Sequence, residues 1–123
     1  MNEFQTSIEF QAPIKEKAIL VGLNCPTFRA EETASESTLA ELEALVETAG
    51  GEAVASVLQN RPAPDARTLI GEGKCEEIRD LADAHGADLI IFDNELSPSQ
   101  MNNLERLTGH TVLDRSKSEA KRS

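Results

Sequence analysis

Lys17-Ala-Ile-Leu-Val-Gly-Leu23 is a continuous apolar run, the pattern of a strand covered on both faces. Such a strand needs helices above and below it, which is the arrangement of an α/β domain with a parallel sheet. Pro26 ends the run, and an acidic loop that reads as long and mobile follows to about Ser37. Further strand patterns lie at Ala53 to Leu58, Asp88 to Phe92 and Thr111 to Leu113. Helices separate them. The first opens at Thr38 with Glu41 as its capping-box partner, aligns Leu39, Leu42, Leu45, Val46 and Ala49, and stops at Gly50-Gly51. The second starts near Gly73, buries Cys75, Ile78, Leu81 and Ala82, and stops at Gly86. The third has Ser97 as N-cap, Pro98 at the first helical position and Gln100 closing the box. Leu96 and Met101 are spaced as a hydrophobic staple, and Gly109 is the stop.

This alternation predicts a small three-layer α/β sandwich, with a mainly parallel sheet of about four strands and helices on both faces. Thr68-Leu69-Ile70 follows Leu58 too closely for a parallel crossover, so it is expected as a short bridge at the sheet's C-terminal edge. Residues 1–16 read as an N-terminal arm with a short edge strand at Ile8 to Phe10, residues 17–115 as one domain, and residues 116–123 as a polar tail.

Composition narrows the function. The formal net charge is −10, which argues against a simple nucleic-acid-binding module, because such domains use Lys and Arg to displace counterions. The charge is segregated, however: seven carboxylates and no basic residue lie between Glu31 and Glu52, whereas Arg61, Arg67, Lys74, Arg79, Arg106 and Arg115 follow. A carboxylate-rich first helix facing solvent is therefore compatible with a more basic surface elsewhere. Without Trp or Tyr, and with four Phe, the chain has little for base stacking. No apolar stretch is long enough to span a membrane and no secretory signal opens the chain, so a cytoplasmic protein is expected. Cys25 and Cys75 make neither a disulfide framework nor a metal-ligand pattern.

In open α/β sheets, ligands bind beyond the carboxyl ends of the strands. Those ends carry Asn24-Cys25, Gln59-Asn60-Arg61, Gly71-Glu72-Gly73-Lys74, Asp93-Asn94-Glu95 and Asp114-Arg115, which should gather along one rim. In Gly71-Glu72-Gly73-Lys74 two glycines admit an anion close to the backbone, helix-opening amides face it, and Lys74 adds charge. The alternative is a plain glycine turn entering a helix. The stretch is neither a Walker A loop, since Cys75 follows the lysine, nor a dinucleotide fingerprint, since Glu76 replaces a glycine. Asp93 and Glu95 are a possible acidic edge cluster for acid/base or Mg²⁺ chemistry, or simply turn residues before an N-cap. His85 and His110 sit at element boundaries without a ligand set, so no catalytic or metal-binding residue is assigned.

Taken together, Lys17 to Leu23, Leu39-x-Glu41-Leu42 through Gly50, Gln59-x-Arg61-Pro62, Ile70-Gly-x-Gly-Lys74-x-Glu76-Glu77, Ala87 to Asp93, and Glu95-Leu-Ser-Pro-Ser-Gln100 with Asn103-Leu104-Glu105 resemble the N-terminal domain of the HflX-type GTPases. Val112-Leu-Asp114-Arg115 closes a match over about residues 17 to 116. The resemblance implies a cytoplasmic, ribosome-associated protein that engages the large subunit and its rRNA, and helps split or rescue stalled ribosomes under stress. It also implies, as the alternative, a domain binding ATP or GTP at the Gly71–Lys74 turn. By position, Arg61, Gly71, Gly73, Lys74 and Arg115 are the candidates for contact with RNA phosphate or nucleotide. After Arg115 the family continues into a helical region and a GTP-binding domain, whereas Ser116 to Ser123 is polar and the sequence stops. No phosphate loop, Mg²⁺-binding Asp-x-x-Gly or guanine-specificity motif is present, so GTP hydrolysis is not expected of these residues. GTP and Mg²⁺ are expected for the G domain, and no cofactor for this chain.

Overall fold

The computed structural model describes residues 16–115; the arm, its Ile8 to Phe10 strand and the polar tail lie outside the described residues. Strands β1 (Lys17–Asn24), β2 (Glu52–Asn60), β3 (Leu89–Phe92) and β4 (Thr111–Asp114) form one sheet in the order β2-β1-β3-β4, parallel throughout. Helices α1 (Glu36–Thr48), α2 (Glu72–His85) and α3 (Pro98–Thr108) provide the crossovers.

The run that suggested a doubly covered strand is β1, and its side chains alternate between two cores. Ile19, Val21 and Leu23 pack with Ile78, Ala82 and Leu104 beneath α2 and α3. Ala18 and Leu20 pack with Leu39, Leu42 and Val46 beneath α1. Each of these larger side chains stabilises the fold by about 1.5–3 kcal/mol relative to exposure, and β1 supplies both layers at once. The carboxylates of α1 at Glu36, Glu41, Glu43 and Glu47 are exposed, so its acidic face meets solvent.

Three local readings change. The first helix is capped by Ser35, not Thr38: the Ser35 hydroxyl accepts the Thr38 N–H at 3.2 Å, and the Thr38 hydroxyl accepts the Ser35 N–H at 2.9 Å. Thr38 is thus the third helical residue of the box, the place expected for a glutamate or glutamine. The loop after β1 is tied down rather than mobile. Ala34 donates its N–H to Leu23 O at 3.0 Å and is buried, and Cys25 N–H reaches the Thr33 hydroxyl at 2.9 Å. Gly22 lets this happen, because a Cβ there would lie 2.6 Å from the Ala34 Cβ. Finally, Thr68-Leu69-Ile70 bridges Asp65 of its own loop, antiparallel, and does not cross the sheet edge. Two mutual backbone hydrogen bonds, Asp65 N–H to Leu69 O at 2.9 Å and Leu69 N–H to Asp65 O at 2.8 Å, hold Leu69 at φ 69°.

The strand order also creates a switch point. From β1 the chain moves outward to β2, then returns past β1 to β3 on its other side. The connections therefore diverge between the carboxyl ends of β1 and β3, which opens a crevice there.

Candidate functional site

The rim at the start of α2 is built by β2. Gly71 is the N-cap, in an extended conformation with no side-chain capping bond, whereas α1 and α3 are capped by Ser35 and Ser97. The first-turn N–H groups of α2 therefore have no capping side chain to answer them. Gln59, at the end of β2, accepts the Gly71 N–H through Oε1 at 3.2 Å. Arg61 lies so close that a Cβ on residue 71 would sit 2.7 Å from its Nη1, so glycine is what allows the guanidinium to rest there. Arg61 Nε donates to Ala63 O at 3.0 Å. Gly73, in the first turn, faces open space, and Lys74 follows it with an ammonium 3.0 Å from Glu77 Oε1. A guanidinium, an ammonium and the positive end of a helix thus share one rim.

Arg115 is differently employed. Its Nε donates to Asp93 Oδ1 at 2.7 Å and its Nη2 to Thr38 O at 2.8 Å, while the Thr38 hydroxyl donates to the other Asp93 oxygen. The Asp93 side chain is 2% exposed. This network joins the end of β4 to the first turn of α1. Of the sequence-derived candidates, the structure places Arg61, Gly71, Gly73 and Lys74 around the start of α2, and Arg115 on the α1 side with Asp93. Glu95 is exposed, and so separated in environment from Asp93.

The switch-point crevice has a volume of about 550 Å³ and is lined by residues of three connections, among them Phe28 and Glu31 after β1, Asp65 and Leu69 after β2, and Asn94 and Leu96 after β3. Asn94, a plain turn residue in the sequence, holds it together. Its Oδ1 accepts the Leu23 N–H at 2.8 Å, and its Nδ2 donates to Leu23 O at 3.0 Å and Glu32 O at 2.9 Å. An asparagine two residues after a buried strand was the available signal for this role. Asp65 accepts the N–H groups of Arg67 and Thr68 at 2.8 and 3.1 Å. The Arg67 amide, foremost, holds its carboxyl below the usual aspartate value, so Asp65 is ionised near neutrality.

Both cysteines are free and buried, and burial raises the Cys75 thiol, keeping it protonated. His110 Nε2 lies 3.0 Å from Asp83 Oδ1, a contact between α2 and the start of β4. Among the described residues, no three His, Cys, Asp or Glu side chains are grouped to hold a metal ion, and no helix is long and apolar enough to cross a membrane.

The family described as GTP-binding GTPase N-terminal matches residues 36–117. The chain belongs to this family. Its similarity to HflX proteins extends further toward the N-terminus. It is 42% identical over 100 residues to the GTPase HflX of Alkalihalophilus pseudofirmus, covering 81% of this chain and 23% of that protein. With the GTPase HflX of Escherichia coli K12 it shares 46% identity over 77 residues, covering 63% of this chain and 18% of the relative. The chain therefore corresponds to the N-terminal domain of HflX and spans less than a quarter of these relatives. Among solved structures, a variant of SsGBP (G235S) superposes with a TM-score of 0.57 at 22% identity, covering 81% of this chain and 29% of that one, which supports the fold.

Proposed function

We propose that this domain docks an HflX-type GTPase onto RNA of the large ribosomal subunit, in the service of ribosome splitting or rescue in the cytoplasm. GTP and Mg²⁺ would belong to the part of the relatives that this chain does not span, and the domain itself would carry no cofactor. The observation that supports this reading is the rim of α2. Arg61 rests against an uncapped helix start, one turn from Lys74, and a phosphate oxygen there would meet a guanidinium, an ammonium and main-chain N–H groups together. The exposed carboxylates of α1 lie on the opposite layer, while on the rim itself a phosphate would compete with Glu77 for Lys74 and with Glu72 for Arg67.

Co-sedimentation of the purified domain with large subunits over a range of salt tests the proposal. Arg61→Ala and Lys74→Ala should each weaken retention and reduce the slope of log affinity against log salt by about one. A domain that neither co-sediments nor competes with a full-length HflX would reject it. The nucleotide alternative uses the same Gly71–Lys74 turn and predicts a different result: binding of millimolar ATP or GTP that Lys74→Ala abolishes, without retention on subunits.

A further inference from the structure

The crevice between β1 and β3 has the opposite chemistry from the α2 rim, and that chemistry selects a different partner. Several of its donors are committed within the fold. Both Asn94 Nδ2 hydrogens go to Leu23 O and Glu32 O, the Leu96 N–H goes to Asp114 Oδ2 at 2.8 Å, and the Ser97 N–H goes to Gln100 Oε1 at 2.9 Å. Its carboxylates at Glu31, Asp65 and Glu95 keep acceptor capacity. Glu95 is exposed and makes no hydrogen bond or ion pair with another described residue. Glu31 is exposed and meets Arg29 at 3.7 Å across an open surface. Asp65, ionised on the facing loop, takes the Arg67 and Thr68 N–H groups on Oδ1 and keeps Oδ2 for a further donor. No lysine or arginine side chain lines the crevice, although Arg29 of the same connection pairs with Glu31 and Glu32, while Phe28, Leu69 and Leu96 give it apolar walls.

We infer that this crevice is the docking site for an extended basic polypeptide segment, one of whose arginine or lysine side chains enters it. The methylene stem would lie on Phe28, Leu69 and Leu96, and the cationic head, rich in donors, would meet Glu31, Asp65 and Glu95. The volume of about 550 Å³ accommodates such a side chain with its flanking backbone. Phosphate is the wrong ligand for this place, since it would meet Glu31, Asp65 and Glu95 with no lysine or arginine side chain lining the crevice to offset them. The inference is independent of the rim above: ribosome association can fail while the crevice binds its peptide, and the reverse.

The test uses the whole chain and an eight-residue peptide of alternating arginine and glycine, with a citrulline-for-arginine version as neutral control and a uridine decamer as nucleic-acid control. NMR titration should shift the amides of Glu31, Leu69 and Glu95 with the arginine peptide alone. The double substitution Glu31→Lys with Glu95→Lys, at two exposed positions, should weaken affinity at least tenfold at an unchanged melting temperature. Glu41→Lys with Glu47→Lys, the same change of charge on the outer face of α1, should weaken it less than threefold. Equal losses in the two double variants, shifts clustered away from the crevice, or crevice shifts produced by the decamer would each overturn the inference.

Discussion

Two stretches of the same sheet edge, the α2 rim and the β1–β3 crevice, are made from the same kinds of loop and have opposite hydrogen-bonding character. The rim offers donors: Arg61, Lys74 and helix-start N–H groups above a glycine. The crevice presents carboxylates, while Asn94 and the box of α3 use their N–H groups internally. A net charge of −10 therefore describes neither place. The contrast extends to single residues. Arg115 is committed to Asp93 and Thr38, whereas the bonded partner of Arg61 is one backbone carbonyl two residues away. One arginine belongs to the fold and the other faces outward.

That division can be broken experimentally, beginning with its strongest member. Arg115→Ala strands the enclosed Asp93 carboxylate and should cost about 3 kcal/mol in urea unfolding, at the low end for a broken buried pair because Thr38 still donates to Asp93. Gly22→Ala forces a methyl against Ala34 and displaces the loop that walls the crevice; about 1–3 kcal/mol is expected from the same measurement. Ser97→Ala removes the cap of α3 and should cost about 1 kcal/mol. Arg61→Ala and Lys74→Ala should change stability by less than about 0.5 kcal/mol while altering binding. A destabilisation by Arg61→Ala as large as that by Arg115→Ala would erase the distinction. The smallest effect concerns acid. Asp65 titrates below its ordinary value of 3.8, so its support of the Thr68 turn is complete above that value and is lost as the pH falls further. The amide resonances of Arg67 and Thr68 should hold steady down to about pH 4 and move only below it.

Local punctuation was the legible part of this molecule. Ser97-Pro98-Ser99-Gln100 states its helix start completely, because every partner lies within four residues. The apolar run of β1 announced a two-faced strand for the same reason. Ser35 and Thr38 show the limit. Two hydroxyl residues three apart can each be read as a cap, and Ser35 takes the extended conformation directly after Ala34, which is tied to Leu23 and Asn24 at the end of β1. Arg61 and Arg115 both follow a strand and look alike in sequence, but the partners of Arg115 are 22 and 77 residues distant. Leu69 carries no glycine to advertise its positive φ, which comes from the Asp65 bridge. The crevice was illegible as a unit, since three separate connections line it. What decides each of these is long-range pairing, which a period or a motif does not encode.

The position of β1 between β2 and β3 also governs how the chain assembles as it is made. Its first neighbour begins at Glu52 and its second at Leu89, so the most apolar segment is synthesised long before its second flank exists. A sheet of parallel strands has no hairpin to close early, and each pairing must wait for an intervening helix. The nascent domain should therefore spend an unusual share of its synthesis with a naked aggregation-prone strand, and depend on chaperone shielding until Phe92 has emerged.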